Sequence, residues 1–585
     1  MNGGELTARV LQAHNVKFLF TLIGGHISPI VTACETQNIR VIDVRHEVTA
    51  VFAADAVSRL TGTVGVAAVT AGPGLTNTIT AVKNAQLAQS PLLLIGGATA
   101  TILKNRGSLQ DVDQKALMAP HVKWQQCAKR VIDIPEILVE AFFRARDGVP
   151  GPVFVELPVD LLYDHETVRS WYLASVPKSP GLVNHVMRSY LSRHVEKLFK
   201  GFKNELGHEV EIDHPPRIDF KSLKKTSHTV VQLSRVLFEL SKCKRPVLVV
   251  GSQATLQSEK LDSLSASLRS LGIPTYLAGM ARGLMGQNDS YQFRHRRAEA
   301  LRAADLVILA GQPVDFRLNY GAHINRRAFH ISINLSTTDL KKNKRPNLGI
   351  HADPADFLID LARHFTPGSS FTEWHGELLE KESQRNQEIV ALSKKTGKNV
   401  NPIDFAIQLN QELSTKSIVV VDGGDFVATS SYVIQPRAPL SWLDPGLFGT
   451  LGVGAGFALG AKLVHPDRDV WIMYGDGSCG FSLMEYDTFV RHGIGVIGIV
   501  GNDGCWTQIH RDQIAILKKD TACMLARSNY HQVAEALGAK GFLVKRPSEV
   551  QRAILAARKV ARSGKPSLVN VMIDRSDFRK GSISM

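Results

Sequence analysis

The sequence predicts an α/β protein with three doubly wound parallel-sheet domains. Strand-like apolar runs alternate with amphipathic, helix-like stretches along most of the 585 residues, which is the pattern of parallel sheets covered by helices. Many of the runs end in glycine turns, as expected at the carboxyl ends of parallel strands. At about 150 residues per domain, the length corresponds to about four domains, which is compatible with three large ones.

The first predicted domain, residues 1–169, carries clear strand signals. Three of its five apolar runs lead into a glycine pair or a glycine–proline–glycine turn, which stops a strand and lets the backbone turn sharply. The stretch from Val48 to Leu60 has helical spacing. The predicted strands are Val16–Leu22, Arg40–Val44, Gly65–Thr70, Leu92–Ile95 and Val153–Leu157.

Two further α/β domains follow, a central one at residues 226–365 and a last one at 401–585, with a polar, helix-prone linker at 366–400. The strands predicted for the central domain are Pro246–Val250 and Leu306–Ala310. Those of the last domain are Ser417–Val421, Val470–Tyr474 and Val496–Val500. Each of these strands leads into a glycine turn, so ligands are expected at this edge of the sheets.

Residues 170–225 differ from their surroundings and form a predicted insertion with one basic amphipathic helix. The segment contains several prolines and little strand signal. The apolar stripe of the helix is Val186, Met187, Tyr190, Leu191, Val195, Leu198, Phe199, Phe202 and Leu206, and the basic residues are Arg188, Arg193, Lys197, Lys200 and Lys203. Such a helix packs on the protein's own core or lies on an anionic membrane surface, and both alternatives stay open.

Composition excludes several classes of protein. With 44% hydrophobic and 21% charged residues, the chain is globular and neither disordered nor fibrous. The formal charge of +15 predicts anionic partners such as phosphorylated cofactors or acidic lipids. Nucleic acid is not expected, because the basic run Lys341–Arg345 is short and ends at a proline. The six cysteines form no C-x-x-C pair, which argues against a zinc site and a disulfide framework.

The clearest chemical signal lies in the last domain. Asp476 stands between two glycines directly after a strand, where backbone N–H groups can approach a phosphate and a carboxylate can hold a cation. Asn502 and Asp503 follow the next predicted strand. Because parallel strands end at the same edge of a sheet, we expect these side chains to meet there. Oxygen ligands beside phosphate oxygens indicate Mg²⁺.

This motif resembles the fingerprint of thiamine-diphosphate-dependent enzymes, and further segments agree with it in order along the chain. They are His46–Glu47, AGPGLTN at 71–77 and GTLGVG at 449–454. The likeness covers nearly the whole chain except residues 170–225. Within the family it is greatest to the acetolactate synthase-like proteins of animals, regarded as 2-hydroxyacyl-CoA lyases, with matching segments such as GGHISP at 24–29 and GPVFVELPVD at 151–160.

The resemblance implies a thiamine diphosphate site. Glu47 would hydrogen-bond the pyrimidine ring and so turn the coenzyme's own amino group into a base, for which we expect Glu47 to be buried and to favour its protonated form. Leu451 takes the place of the large apolar residue that supports the bent coenzyme, and Gly449 offers its carbonyl group. The other implied contacts are Gly72, Asn77, Gly475, Asp476, Gly477, Ser478 and Asn502.

For the metal, the resemblance implies Asp476 and a second ligand in the pair Asn502–Asp503. The usual second ligand of the family is an asparagine where this chain has Asp503, a departure that adds negative charge beside a diphosphate. Both residues therefore stay candidates. Cys505 is a further candidate through its backbone carbonyl.

Three more residues are candidates for contact with substrate. Gln110 resembles the family glutamine that reaches the reacting carbonyl, and His26 follows a strand-end glycine pair, where a neutral imidazole can move protons. Lys123 matches a lysine common in the synthases of the family, which suggests contact with an anionic group. Each also has a structural interpretation: a solvated surface residue for Gln110 and Lys123, and a capping histidine for His26.

The central domain has two glycine turns, within Gly279–Gly283 and Gly311–Arg317, that include Arg282 and Arg317. Glycine turns and arginines suit phosphate groups. By resemblance, this region holds FAD in the synthases, and ADP or the nucleotide part of CoA in the lyases. Glycine turns and arginines are compatible with all three ligands and do not distinguish among them.

The function implied by the resemblance is cleavage of a 2-hydroxyacyl-CoA to formyl-CoA and an aldehyde one carbon shorter, as in fatty acid α-oxidation. The alternatives are an acetolactate synthase-type carboligase that joins 2-keto acids, and a non-catalytic scaffold, against which the presence of Glu47 and Asp476 argues. Shared active sites imply a homodimer or homotetramer. The resemblance also implies the cytosolic side of the endoplasmic reticulum membrane, whereas the chain itself has no apolar run of 18 residues and predicts a soluble, cytoplasmic protein.

Overall fold

The computed structural model describes residues 1–202, 227–367 and 371–579. Contacts divide the chain into two compact units. The first consists of residues 1–58 with the described part of 63–223, and the second of residues 59–62 with the described residues from 227 onward. The first unit contains one six-stranded sheet and the second contains two, and all strand pairs in them are parallel. The predicted fold class is confirmed.

The first sheet is covered by helices that the sequence caps in the ordinary way. Asn2 and Glu5, for example, form a reciprocal capping box at the first helix. The strands are β1 Phe18–Leu22, β2 Arg40–Asp43, β3 Gly65–Val69, β4 Leu92–Ala98, β5 Trp124–Cys127 and β6 Pro152–Pro158, in the order β2-β1-β3-β4-β6-β5. The helices are α1 Gly3–Ala13, α2 Ser28–Thr36, α3 Glu47–Thr61, α4 Pro73–Thr76, α5 Ile79–Ala88, α6 Gln114–Met118, α7 Ile134–Arg146, α8 His165–Ala174 and α9 Leu182–Leu198.

The second sheet belongs to the central domain. Its strands are β7 Pro246–Val250, β8 Thr275–Leu277, β9 Gln292–Phe293, β10 Leu306–Ala310, β11 Phe329–Asn334 and β12 Leu348–His351, in the order β12-β11-β10-β7-β8-β9. The helices are α10 Val230–Lys242, α11 Leu261–Leu271, α12 Arg297–Ala303, α13 Pro354–His364 and α14 Thr372–Ser393. The long helix α14 occupies the segment predicted as a polar linker.

The third sheet belongs to the last domain. Its strands are β13 Ser417–Asp422, β14 Trp442–Leu443, β15 Asp469–Gly475, β16 Ile497–Asn502, β17 Lys540–Val544 and β18 Ser567–Met572, in the order β14-β13-β15-β16-β18-β17. The helices are α15 Pro402–Glu412, α16 Asp425–Val433, α17 Val453–Val464, α18 Asp476–Cys479, α19 Glu485–Arg491, α20 Thr507–Leu517, α21 Tyr530–Ala536 and α22 Val550–Arg562.

The central strands of each sheet are buried on both faces, which explains why the sequence shows them as continuous apolar runs. Strands β3, β4 and β6 are buried along their whole length. Strand β16 is buried in the same way. Parallel register then places the loops after these strands side by side at the carboxyl edge.

Helix α9 confirms the predicted amphipathic helix but divides its apolar residues differently from the single stripe that we expected. Its C-terminal half and the following turn bury their apolar side chains in the core of the first unit; these are Leu191, Val195, Leu198, Phe199 and Phe202. Val186, Met187 and Tyr190 are exposed. Lys203 and Leu206 lie outside the described residues. Over the part of the chain that the structure covers, none of the helices is both long and apolar enough for a membrane span.

Candidate active site

Glu47 and Asn77, predicted from separate motifs, meet at the carboxyl edge of the first sheet. Glu47 begins α3, just beyond the end of β2, and only 7% of its surface is exposed. The Asn77 amide Nδ2 donates a hydrogen bond to Glu47 Oε2 at 3.0 Å. A methyl group on Gly74 would lie 3.7 Å from Glu47 Oε1. The Asn77 side chain thus holds a buried carboxyl group that lies against Gly74.

Gln110 lies against the same turn. Gly72 has a φ of +61°, a conformation that favours glycine. A Cβ atom on Gly72 would stand 2.9 Å from Gln110 Cβ and 3.0 Å from the Gln110 carbonyl oxygen. Gln110 itself has a φ of +63°, which is unfavourable for a residue with a side chain. The structure therefore brings the predicted glutamine next to the turn that holds Glu47.

Gln114 is a residue that sequence reasoning missed. It is 2% exposed, and its Oε1 accepts a hydrogen bond from the Gly72 N–H at 3.1 Å. Its Nε2 donates to the Gly97 carbonyl at 3.0 Å and to Glu156 Oε2 at 3.2 Å. Lys104 Nζ pairs with Glu156 Oε1 at 2.7 Å. The sequence does contain one indication of this cluster: Glu156 is an acid inside the apolar strand β6, and a buried acid needs polar partners.

His26 joins this edge, whereas Lys123 does not. His26 Nδ1 lies 3.1 Å from Thr70 Oγ1, and a methyl group on Gly97 would lie 2.6 Å from His26 Cβ. Burial lowers the pKa of His26, so the neutral imidazole is favoured, as expected. The Lys123 ammonium instead donates to the backbone carbonyls of Asp147 and Val149, which holds the loop before β6.

Asp476 and the Asn502–Asp503 pair also come together as predicted. Gly475 at the end of β15 pairs with Gly501 of β16, so the residues that follow both strands are neighbours. Asp476 is 3% exposed. Its Oδ1 accepts from the Gly477 N–H at 2.8 Å, and its Oδ2 accepts from the Gly504 N–H at 2.7 Å.

Two buried carboxylates, those of Asp476 and Asp503, lie in this corner. Burial, followed by the negative charge of Asp503, raises the pKa of Asp476 to about 6. Asp503 accepts hydrogen bonds from the Cys505 N–H at 3.1 Å and from Thr507 Oγ1 at 2.5 Å. A divalent cation would relieve the repulsion between the two acids. The donor set therefore fits Mg²⁺.

Asn502 is turned towards the neighbouring strand. Its Nδ2 donates to the Ser528 carbonyl at 3.0 Å and to Asn570 Oδ1 at 3.2 Å. Its Oδ1 is buried and has no hydrogen-bond partner among the described residues. Within residues 1–202, 227–367 and 371–579, no group of three or more histidine, cysteine or acidic side chains could hold a metal.

Asp422 is a second residue that the sequence reasoning missed. It ends β13 and is fully buried. Its Oδ1 accepts from the Gly452 N–H at 3.0 Å and its Oδ2 accepts from the Gly454 N–H at 2.8 Å. Ser478 Oγ donates to the Asp422 carbonyl at 2.5 Å. Asp422 thus joins the turn around half-buried Leu451 to the turn that follows Asp476. Burial raises the pKa of its carboxyl group to about 7.

The second glycine of the Asp476 turn is required by packing. A methyl group on Gly477 would stand 2.3 Å from the ring of Trp506, so the indole lies directly against the backbone. Gly452 is close to another aromatic residue, Phe481, whose Cβ would be 3.2 Å from an added methyl group. Gly449 has a φ of +63° and has open space where a Cβ atom would lie.

The central-domain turns meet as well. A methyl group on Gly251, after β7, would lie 2.4 Å from the Gly311 carbonyl oxygen, after β10. The predicted arginines are already engaged: Arg317 pairs with Asp315 at 2.6 Å, and the Arg282 guanidinium lies 4.1 Å from the centre of the Trp442 ring.

Further basic residues surround these arginines, and the prediction missed them although they form a run in the sequence, Arg294–Arg297. Burial lowers the pKa of Arg282 to about 10, and it also lowers the pKa of Arg294 and Arg297. The positive charge of Arg294 lowers the pKa of Arg282 further, and the positive charge of Arg317 lowers the pKa of Arg297 further. An anion would be stabilised in such surroundings.

Comparison with known proteins agrees with this geometry. Three family models match: the N-terminal TPP binding domain of thiamine pyrophosphate enzymes at residues 1–117, their central domain at 233–361 and their C-terminal TPP binding domain at 422–571. The matched ranges contain the Glu47 and Asp476 motifs described above.

Relatives that match over nearly the whole chain support the same family. The chain is 47% identical to the 2-hydroxyacyl-CoA lyase 2 of Danio rerio over 592 residues, which cover 100% of this chain and 93% of that protein. Identity to the Homo sapiens protein of the same name is 47% over 591 residues, with 100% and 92% covered. Identity to an acetolactate synthase large subunit of Mycobacterium tuberculosis is 31% over 582 residues, with 98% and 96% covered. The chain belongs to the thiamine pyrophosphate enzyme family.

Proposed function

We propose that this chain is a thiamine-diphosphate-dependent lyase that cleaves a 2-hydroxyacyl-CoA to formyl-CoA and an aldehyde one carbon shorter. The observation that carries the proposal is the 47% identity, over the whole chain, to proteins named 2-hydroxyacyl-CoA lyase 2. The paired Glu47 and Asn77 and the two-carboxylate corner at Asp476 support it, because the coenzyme and its metal need such groups.

Glu47 is the proposed acid–base residue at the coenzyme's pyrimidine ring. When bound, thiamine diphosphate supplies a carbon nucleophile and a place for the electron pair of the broken C–C bond. Glu47 would hold and move a proton at the ring nitrogen, and Asn77 keeps its carboxyl group in position through the 3.0 Å hydrogen bond. Leu451 and Gly449 are the coenzyme contacts that the resemblance implies for the last domain.

His26 and Gln110 are the proposed substrate contacts. The reaction breaks the bond between the thioester carbonyl carbon and carbon 2; the 2-hydroxyl group loses a proton and the carbonyl carbon gains one, so no oxidant is required. A neutral imidazole can accept the hydroxyl proton, and burial keeps His26 neutral. The Gln110 amide, beside the Gly72 turn, would donate to the substrate carbonyl.

Asp476 and Asp503, with the Cys505 carbonyl, are the proposed ligands of Mg²⁺. The negative charge of Asp503, which raises the pKa of Asp476, favours Asp503 as the second ligand. Asn502 is the alternative, because its Oδ1 is buried without a hydrogen-bond partner among the described residues and an amide binds a metal through its oxygen. The backbone from Gly475 to Ser478 would then lie at the diphosphate.

The central domain is the proposed site of a nucleotide: FAD, ADP or the nucleotide part of CoA. The half-buried arginines Arg282, Arg294 and Arg297 support an anionic ligand. Arg294 already pairs with Glu382 at 3.7 Å, and Arg317 is available only if it leaves Asp315. Mass spectrometry of the ligand released from purified protein distinguishes the three, because their masses differ. A homodimer or homotetramer and an endoplasmic reticulum location stay predictions of the resemblance.

The second candidate function is synthesis of acetolactate from two pyruvates, which the 31% identity to an acetolactate synthase favours. The test incubates purified full-length protein, thiamine diphosphate and Mg²⁺ with a 2-hydroxyacyl-CoA or with pyruvate. We expect the shortened aldehyde and formyl-CoA from the first. Acetolactate from pyruvate without thioester cleavage would overturn the lyase proposal in favour of the synthase.

A further inference from the structure

Helix α9 carries an apolar face that is exposed in the described part of the chain. Leu182, Val183, Val186, Met187 and Tyr190 are between 47% and 80% exposed. They are spaced at one, three and four residues and so share one side of the helix over two and a half turns. We refer to these five residues as the α9 apolar face.

Basic residues extend this face towards the C-terminus. Val186, Tyr190, Arg193 and Lys197 are spaced at four, three and four residues, which is the spacing of one helical face. Arg193 and Lys197 are exposed, as is Lys200 in the next turn. The nearest acid on the helix, Glu196, is engaged with His165 at 2.9 Å. One side of α9 therefore combines an apolar half with a cationic half.

The opposite side of α9 holds the helix rigidly to the first unit. Val195, Leu198 and Phe199 are at most 4% exposed and belong to its core. His194 Nε2 lies 2.9 Å from Thr101 Oγ1, and Arg188 Nη2 donates to the carbonyl of Val176 at 3.1 Å. The exposed face is therefore preformed and needs no ordering on binding.

We propose that the α9 apolar face docks on an anionic lipid bilayer surface. The apolar residues would enter the boundary between headgroups and acyl chains, and Arg193, Lys197 and Lys200 would meet the lipid phosphates. The net charge of +15 favours the same partner. A second copy of the chain fits less well, since a twofold contact would bring the same basic residues together.

The test is flotation of the full-length protein with vesicles of phosphatidylcholine alone or with one-third phosphatidylserine. We expect flotation with the anionic vesicles only. Leu182→Asp with Val183→Asp should abolish it. Changing Arg193, Lys197 and Lys200 together to Gln should lower the partition coefficient roughly 100-fold, at about fivefold per basic residue.

The matched control is Val230→Asp with Val231→Asp. This pair occupies the same first two positions of helix α10 and is 80% and 78% exposed, against 80% and 72% for Leu182 and Val183. Aspartate at a helix N-terminus disturbs neither helix, and the control should float like the parent. Equal flotation of all variants, or none with anionic vesicles, would overturn the proposal. A change in sedimentation of the Leu182/Val183 variant without lipid dependence would assign the face to a second copy instead.

Discussion

At the scale of single residues, the Glu47 cluster and the Asp476 cluster share one feature: a buried side chain accepts hydrogen bonds from a neighbouring glycine turn. Gln114 and Asp422 each accept hydrogen bonds from glycine N–H groups. Because the donors are backbone N–H groups, which every residue except proline has, no pattern in the sequence predicts these contacts. Glu47 and Asp476 could be predicted from local motifs, whereas the residues that position those motifs could not.

Glu47 carries the first prediction. Glu47→Gln should lower the turnover of a 2-hydroxyacyl-CoA by roughly 10²–10⁴-fold, the usual contribution of a general acid–base residue. The melting temperature should change little, because the amide has the same shape and can still meet Asn77. The exposed Glu35→Gln serves as control and should turn over substrate at the parent rate. Parental turnover in the Glu47 variant would remove this residue from the mechanism.

Asp422 predicts a pH dependence of stability. Its pKa is raised from 3.8 to about 7 by burial, so the neutral acid is favoured in the folded protein. The raised pKa of Asp422 therefore contributes to the free energy of unfolding. The contribution is fully present below pH 3.8 and is lost as the pH rises through about 7. Asp422→Asn cannot ionise and lacks this slope.

We therefore expect the parent to lose stability relative to Asp422→Asn as the pH is raised from about 4 to above 7, by at most about 4 kcal/mol. Chemical denaturation of both proteins across this range measures the difference. Parallel curves would show that folding does not raise the pKa of the Asp422 carboxyl group.

At the scale of elements, most of the predicted strands are buried interior strands, and of the edge strands only β2 was predicted. The interior strands β8, β11 and β18 were not predicted. Pro246–Val250 and Leu306–Ala310 match the predicted bounds, because such strands are continuous apolar runs. Strands of two residues, such as Gln292–Phe293, carry no such pattern. Helix α9 was predicted as one stripe because spacing alone does not tell which apolar residues find partners in the fold.

The turn around Asp476 predicts a coupled pair of substitutions. Gly477→Ala would place a methyl group 2.3 Å from the Trp506 ring, so we expect a lower melting temperature of the coenzyme-free protein, by an amount equivalent to about 1–3 kcal/mol. Trp506→Phe removes indole ring atoms that the added methyl group would approach. The double variant should therefore be less destabilised than the sum of the two single variants. Additive losses would contradict the packing explanation.

At the scale of the whole molecule, ligand binding should stabilise the fold in a metal-dependent way. Thiamine diphosphate with Mg²⁺ at a hundredfold excess over Kd should add about 2.7 kcal/mol to the free energy of unfolding. EDTA should remove the effect. Asp476→Ala and Asp503→Ala should abolish it, since both remove a proposed ligand.

Asn502→Ala is the comparison that separates the two candidates for the second ligand. It should lose the hydrogen bonds to Ser528 and Asn570 but keep the Mg²⁺-dependent gain. A gain retained by Asp503→Ala and lost in Asn502→Ala would reverse the assignment. Equal coenzyme affinity with EDTA and with Mg²⁺ in the parent would exclude a metal at this site.

The strand order of the first and third sheets has a consequence for biosynthesis. In the first sheet, β6 lies between β4 and β5, so β5 has no partner until β6 has been made. Residues 128–151 separate the two strands, and at about 5–20 residues per second the ribosome needs roughly one to five seconds to synthesise them. The third sheet repeats the arrangement, with β18 between β16 and β17. During these two intervals an unpaired strand is open to wrong partners, and a chaperone at the nascent chain would have most to protect there.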